Sequence, residues 1–358
     1  MKLTDAGIHN CLSFINKTMK TLKASALFYL LIAIFNGQNT IAQTKIHTED
    51  LVRFYQAFDS TQTTSDTLKQ LGFIQKLYAD KASDGLKEFM DLRGGNAKEW
   101  LKLIQKDKEK LIKIRPLILS VLNQENEIEK KIKRYKKLYP DFQNGDIYFC
   151  IGINNSGGTI KGNHVLIGTE VVADDKSDWA VPIVLHEFSH TQQWLFKNMS
   201  DIQSGKIKFD ANQILGSCIL EGMCDFMGEL AYGQSLATFY PEGHTAFGLK
   251  HEKIIWEKFK EEMFLVDNNN LGWVYGPKDK AKEFEGEKVK DLGYFLGHQI
   301  CKSYYNKAGN KEQALQEMFN LEATTNEIIK GFLIKSGYVS ASEIPEIERR
   351  FMESKKAK

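Results

Sequence analysis

The residues best suited to chemistry lie in one short stretch, His186-Glu187-Phe188-Ser189-His190. Residues four apart on a helix share a face, so both imidazoles can reach a single tetrahedral zinc ion, while Glu187 can hold a metal-bound water as general base. That arrangement demands a helix. Val181, Ile183, Val184, Leu185, Phe188, Trp194 and Leu195 supply an apolar one over about residues 178–196, with Asp178 as its expected N-cap and Pro182 in its first turn. A hydrolytic zinc takes three protein ligands and keeps one open position. Gln193 and Phe196 stand where a metzincin has its glycine and third histidine, which excludes that class. A second apolar helix, expected over about residues 213–231, carries Glu221 and Asp225 four residues apart among Ile219, Met223, Phe226 and Met227. Carboxylates in such surroundings need partners. Glu221 is therefore read as third ligand of one Zn2+ per chain, Asp225 as acceptor of the outer N–H of a ligand histidine, and Glu229 as reserve ligand.

HEFSH followed about thirty residues later by LEGMCDF resembles the gluzincin zinc metallopeptidases, in particular secreted bacterial zinc-dependent proteases grouped as a domain of unknown function. YFCIGINNSGGT before the motif and DLGYFLG after it share the resemblance, which spans about residues 50–335. It implies that His186, His190 and Glu221 bind zinc, that Glu187 is the catalytic base and that Asp225 orients His186. Cys224 stands where alanine is expected. Gluzincins also place a Tyr or His after the third ligand to hold the oxyanion, and Tyr294 and His298, on one face of a helix starting near Lys290, are the candidates. His164 is a weaker candidate for the cleft wall. His244 and His251 lack ligand spacing and are read as surface residues. The implied function is an exported metallopeptidase acting on a peptide or protein substrate, with no nucleic-acid partner. Two alternatives stay open: a non-catalytic zinc-containing envelope binding or structural protein, and a zinc hydrolase acting on a non-peptide amide.

Positioning these residues requires a folded chain, and the composition agrees: 42% of the 358 residues are hydrophobic and 11% aromatic, which excludes a disordered protein. The expected class is α+β, mainly α, with a zincin-like fold. Residues 43–140 read as an N-terminal helical region and 141–340 as the zincin-like region, with a small sheet before the HExxH helix and a charged tail over 341–358. Its strands are expected at Asp146–Ile153 and Val165–Val172, with a hairpin turn at Gly157-Gly158. The lysine-rich run Lys130–Lys137 follows Glu127 and Glu129 at helical spacing, and reads as a solvated face.

Lys20 and Lys23, the apolar run Ala24–Phe35 and small residues before Gln43 read as a signal peptide over residues 1–42, with Met19 as an alternative start. The run is too short to span a bilayer. No cysteine follows it closely, so no lipid anchor is expected. Cleavage would remove four lysines and one aspartate from 48 basic and 46 acidic residues, a near-neutral balance that implies no field steering the protein to nucleic acid. Cys150, Cys218, Cys224 and Cys301 would remain, and they read as buried thiols. The expected location is periplasmic or secreted, in a Gram-negative bacterium.

Overall fold

The computed structural model describes residues 44–266 and 271–356. The signal peptide, its cleavage site and Cys11 lie outside the described residues. Polar side chains start the early helices. Asp66 accepts hydrogen bonds from the N–H groups of Leu68 and Lys69, Ser83 from that of Leu86, and Asn96 from those of Lys98 and Glu99. They begin α2 (Thr67–Leu77), α3 (Asp84–Arg93) and α4 (Ala97–Leu119), which follow α1 (Glu49–Thr61) and precede α5 (Glu125–Leu138). Each buries an apolar stripe, as with Leu51, Phe54 and Phe58 on α1 and Trp100, Leu101 and Ile104 on α4. The run Lys130–Lys137 lies on α5, where Lys130, Lys131 and Lys133 pair with Glu127 or Glu129.

The helices sit against a four-stranded sheet of order β1 (Ile46–His47), β2 (Ile147–Cys150), β4 (His164–Gly168) and β3 (Gly158–Lys161). Tyr78 and Trp100 tie the two layers, since the Tyr78 hydroxyl donates to the Ile151 carbonyl (2.7 Å) and the Trp100 indole N–H to that of Gly152 (2.9 Å). The strands β1, β2 and β4 are parallel and β3 runs antiparallel at the edge. The expected hairpin at Gly157-Gly158 is thus displaced. Gly158 opens β3, and the tight turn falls instead at Gly162, whose φ of 56° suits glycine. The second expected strand stops at Gly168, and Thr169–Val172 forms a helical turn.

Beyond the sheet come α6 (Ala180–Gln192), α7 (Ile214–Tyr232), α8 (His244–Glu262), a hairpin of β5 (Lys282–Phe284) and β6 (Glu287–Val289), α9 (Leu292–Lys307), α10 (Lys311–Phe319), α11 (Asn326–Ser336) and α12 (Ile344–Lys356). The class is therefore α+β, mainly helical. Asp178 does not cap α6; its carboxylate accepts from the Tyr232 hydroxyl at 2.6 Å instead. The helix ends at Gln193, whose ψ of 138° leaves helical space, rather than running on to Phe196. Within the charged stretch 341–358, residues 344–356 are helical, with Ile347 and Phe351 buried in the core. α7 and α9 cross closely at glycines: a Cβ on Gly222 would lie 2.1 Å from the Gly297 carbonyl carbon. Cys150, Cys218, Cys224 and Cys301 are all buried. Among the described residues no helix is long and apolar enough to cross a membrane.

Candidate metal centre

α6 and α7 pack side by side, and this contact turns two sequence motifs into one cluster. The Nε2 atoms of His186 and His190 lie 3.2 Å apart, and each is 3.2 Å from Oε2 of Glu221. Three donor atoms therefore form an equilateral triangle. Ligand atoms about 2.0–2.1 Å from a tetrahedral zinc are roughly 3.3–3.4 Å apart, so the triangle matches one face of such a tetrahedron. Two imidazoles and a carboxylate also form a donor set that zinc favours.

The outer atoms of these ligands are held in turn. Nδ1 of His186 is 2.8 Å from Oδ1 of Asp225, and the other Asp225 oxygen is 3.1 Å from Nε2 of His244. Nδ1 of His190 faces Oε1 of Gln193 at 3.1 Å, and the Gln193 amide donates to the Leu220 carbonyl at 2.7 Å. The Tyr275 hydroxyl donates to Oε1 of Glu221 at 2.5 Å. Both histidines thus present Nε2 to a common point, with their tautomers set from behind. Burial alone would push the carboxyls of Glu221 and Asp225 up. The imidazoles beside them prevail and hold both well below the usual carboxylate range. Burial likewise opposes charge on His186, but the hydrogen bonds and charges of Asp225 and Glu221 hold it well above the usual imidazole range.

Cys224 offers a competing donor, with Sγ 3.3 Å from Nδ1 of His190. That nitrogen is the one turned to Gln193, so the thiol meets the edge of the His190 ring that faces away from the point shared by the two Nε2 atoms. Burial, together with the charge of Glu221, also pushes the thiol up. The Glu221 set is the better metal site.

The triangle lies in a cavity of about 1440 Å³. Glu187 projects into it against β3, where a Cβ on Gly158 would fall 2.2 Å from Oε1 of Glu187. Burial raises the Glu187 carboxyl above its usual range. Tyr294 also lines the cavity, its ring stacked 5.9 Å from that of His186 at 19°. The structure thus brings His186, Glu187, His190, Glu221, Asp225 and Tyr294 together. His298 lies elsewhere: it is 1% exposed, packs on Phe226 and places Nε2 3.5 Å from Glu229. The α7–α9 crossing at Gly297 separates it from the cavity that Tyr294, one turn earlier, reaches. Glu229 is no reserve ligand, since it accepts from the Leu236 N–H at 2.9 Å and faces His298. His164 pairs with Glu88 at 2.9 Å and does not line the cavity. His244, expected at the surface, is part of the cluster. So are Gln193 and Tyr275, of which only Gln193, three residues after His190 where the helix ends, had a signal in the spacing.

A family model described as gliding motility protein GldB matches residues 36–338. The chain belongs to this family. Membership overturns the assignment to the gluzincin metallopeptidases and, with it, the exported peptidase, the hydrolase class and the protease reading of the site. The physical reason is that HExxH and a later glutamate specify a helix pair able to hold an ion, and such a constellation does not by itself specify a reaction. The family is one of gliding motility lipoproteins, which agrees with a location in the cell envelope. No curated protein and no solved structure matches the chain.

Proposed function

We propose that this chain is a metal-dependent binding protein of the envelope, serving gliding motility, in which His186, His190 and Glu221 hold one zinc ion at the floor of the cavity. The observation that carries the reading is the 3.2 Å triangle of Nε2, Nε2 and Oε2, with every ligand secured from behind by Asp225, Gln193 or Tyr275. A purely structural zinc takes four protein ligands. Three donors leave a fourth position facing the cavity, where a donor group from a protein partner could bind beside Glu187 and Tyr294. The small sheet, its edge strand and the HExxH helix support a zincin-like arrangement of these parts. The finer location, periplasmic or secreted in a Gram-negative bacterium, belongs to the same proposal.

Metal content decides it. After zinc loading and dialysis, mass spectrometry of the purified protein should find about one zinc per chain. His186→Ala, His190→Ala and Glu221→Ala should each lose it while keeping the circular dichroism of the parent. A parent that retains no zinc ends the proposal.

A further inference from the structure

Four non-glycine residues among those described have positive φ, and two of them, Tyr275 (56°) and Asp291 (61°), meet beside the metal centre. A positive φ is uncommon for an aromatic residue, and such conformations persist only where the surroundings enforce them. The surroundings here are specific. The Gly293 N–H donates to the Trp273 carbonyl at 2.9 Å, and the carboxylate of Asp291 lies beside the backbone N–H of Tyr275, so the segment Trp273–Tyr275 is held to the start of α9. Tyr275 is also 51% exposed, with its ring edge-on to Tyr294 at 6.3 Å. Apolar burial therefore does not account for the strained backbone. The hydroxyl has a specific partner, because it reaches Oε1 of Glu221 at 2.5 Å, while the other oxygen of that carboxylate faces both histidines.

We infer that Tyr275 is a positioning residue that makes Glu221 a one-oxygen ligand. A carboxylate free to turn can chelate an ion through both oxygens and take up the position that would otherwise stay open to the cavity. With Oε1 engaged by the phenol, only Oε2 points to the ion. Coordination number is then set by a side chain 54 residues away on another segment. This inference rests on the metal reading above.

Cobalt(II) in place of zinc provides the test, because four-coordinate cobalt absorbs visible light far more strongly than five- or six-coordinate cobalt. The wild-type protein should show the intense band. Tyr275→Phe, which keeps the ring, should bind the same amount of cobalt with a weaker, shifted band as Oε1 turns onto the ion. Asp291→Asn, which loosens the segment without removing the hydroxyl, should move the spectrum the same way by less. Thermal melting establishes that each variant is folded, and if Tyr275→Phe is not, Asp291→Asn decides. Variants matching the wild-type spectrum at equal cobalt content overturn the role of Tyr275. A wild-type protein that takes up no cobalt at all instead overturns the metal reading beneath it.

Discussion

Asp225 serves two rings at once, holding Nδ1 of His186 with one oxygen and Nε2 of His244 with the other. Asp225→Asn keeps the shape but presents an amide where one ring needs an acceptor. Metal affinity should drop about 10- to 100-fold, as when other outer partners of ligand histidines are removed, and competition with a chromophoric chelator measures it. An unchanged affinity would mean that packing alone orients His186. This part of the site was legible in the sequence because helical periodicity decides which residues share a face. His186 with His190, and Glu221 with Asp225, follow from spacing alone. Tyr275 and His244 do not, since loops bring them in from other segments. Spacing also misled at His298, which shares a helical face with Tyr294 yet lies beyond the Gly297 crossing. The larger error, a peptidase, came from reading a reaction into donor atoms.

At the scale of elements, the α7–α9 contact depends on the absence of side chains. A Cβ on Gly297 would lie 1.7 Å from the carbonyl oxygen of Cys218. That atom is backbone of α7, so it cannot swing aside as a flexible side chain would. Gly297→Ala should therefore destabilise the protein by about 1–3 kcal/mol or more, seen as a lower melting temperature in calorimetry. An unaltered melting temperature would show that the helices can separate at no cost. The helices around the site were legible from apolar spacing, whereas the caps Asp66, Ser83 and Asn96 show only in the structure and the expected cap, Asp178, bonds Tyr232 instead. The sheet was legible only as strands. Their order was not, because β2 and β4 pair in parallel through contacts that no local turn signal encodes, and a two-residue strand such as β1 has too little pattern to read.

Across the whole molecule, the C-terminal helix α12 is secured by Glu343, just before its first turn. Hydrogen bonds from the Ser340 hydroxyl and N–H (2.6 and 3.1 Å), with others from the Trp256 indole (3.1 Å) and Lys260 (3.2 Å), hold its carboxyl down at about 2. A carboxyl whose pKa is lower folded than unfolded stabilises the fold above its unfolded value and loses that contribution as pH falls toward 2. Glu343→Gln should lower the urea midpoint at pH 7 and narrow the difference between pH 7 and pH 3. Equal midpoint losses at both pH values would show that Glu343 acts through packing rather than charge. This anchoring explains why a stretch that reads as a charged tail belongs to the core: only Ile347 and Phe351 face inward, too few to announce a helix. The glycine contact has a mechanical corollary. With Gly222 seated on Gly297 and no compressible layer of side chains between them, Glu221 and Tyr294 belong to a single stiff block. Floor and adjoining wall of the cavity move as one piece. Any widening to admit a bulky guest must then come from the opposite rim, where Arg93 of α3 hydrogen-bonds Thr159 of β3 through exposed side chains.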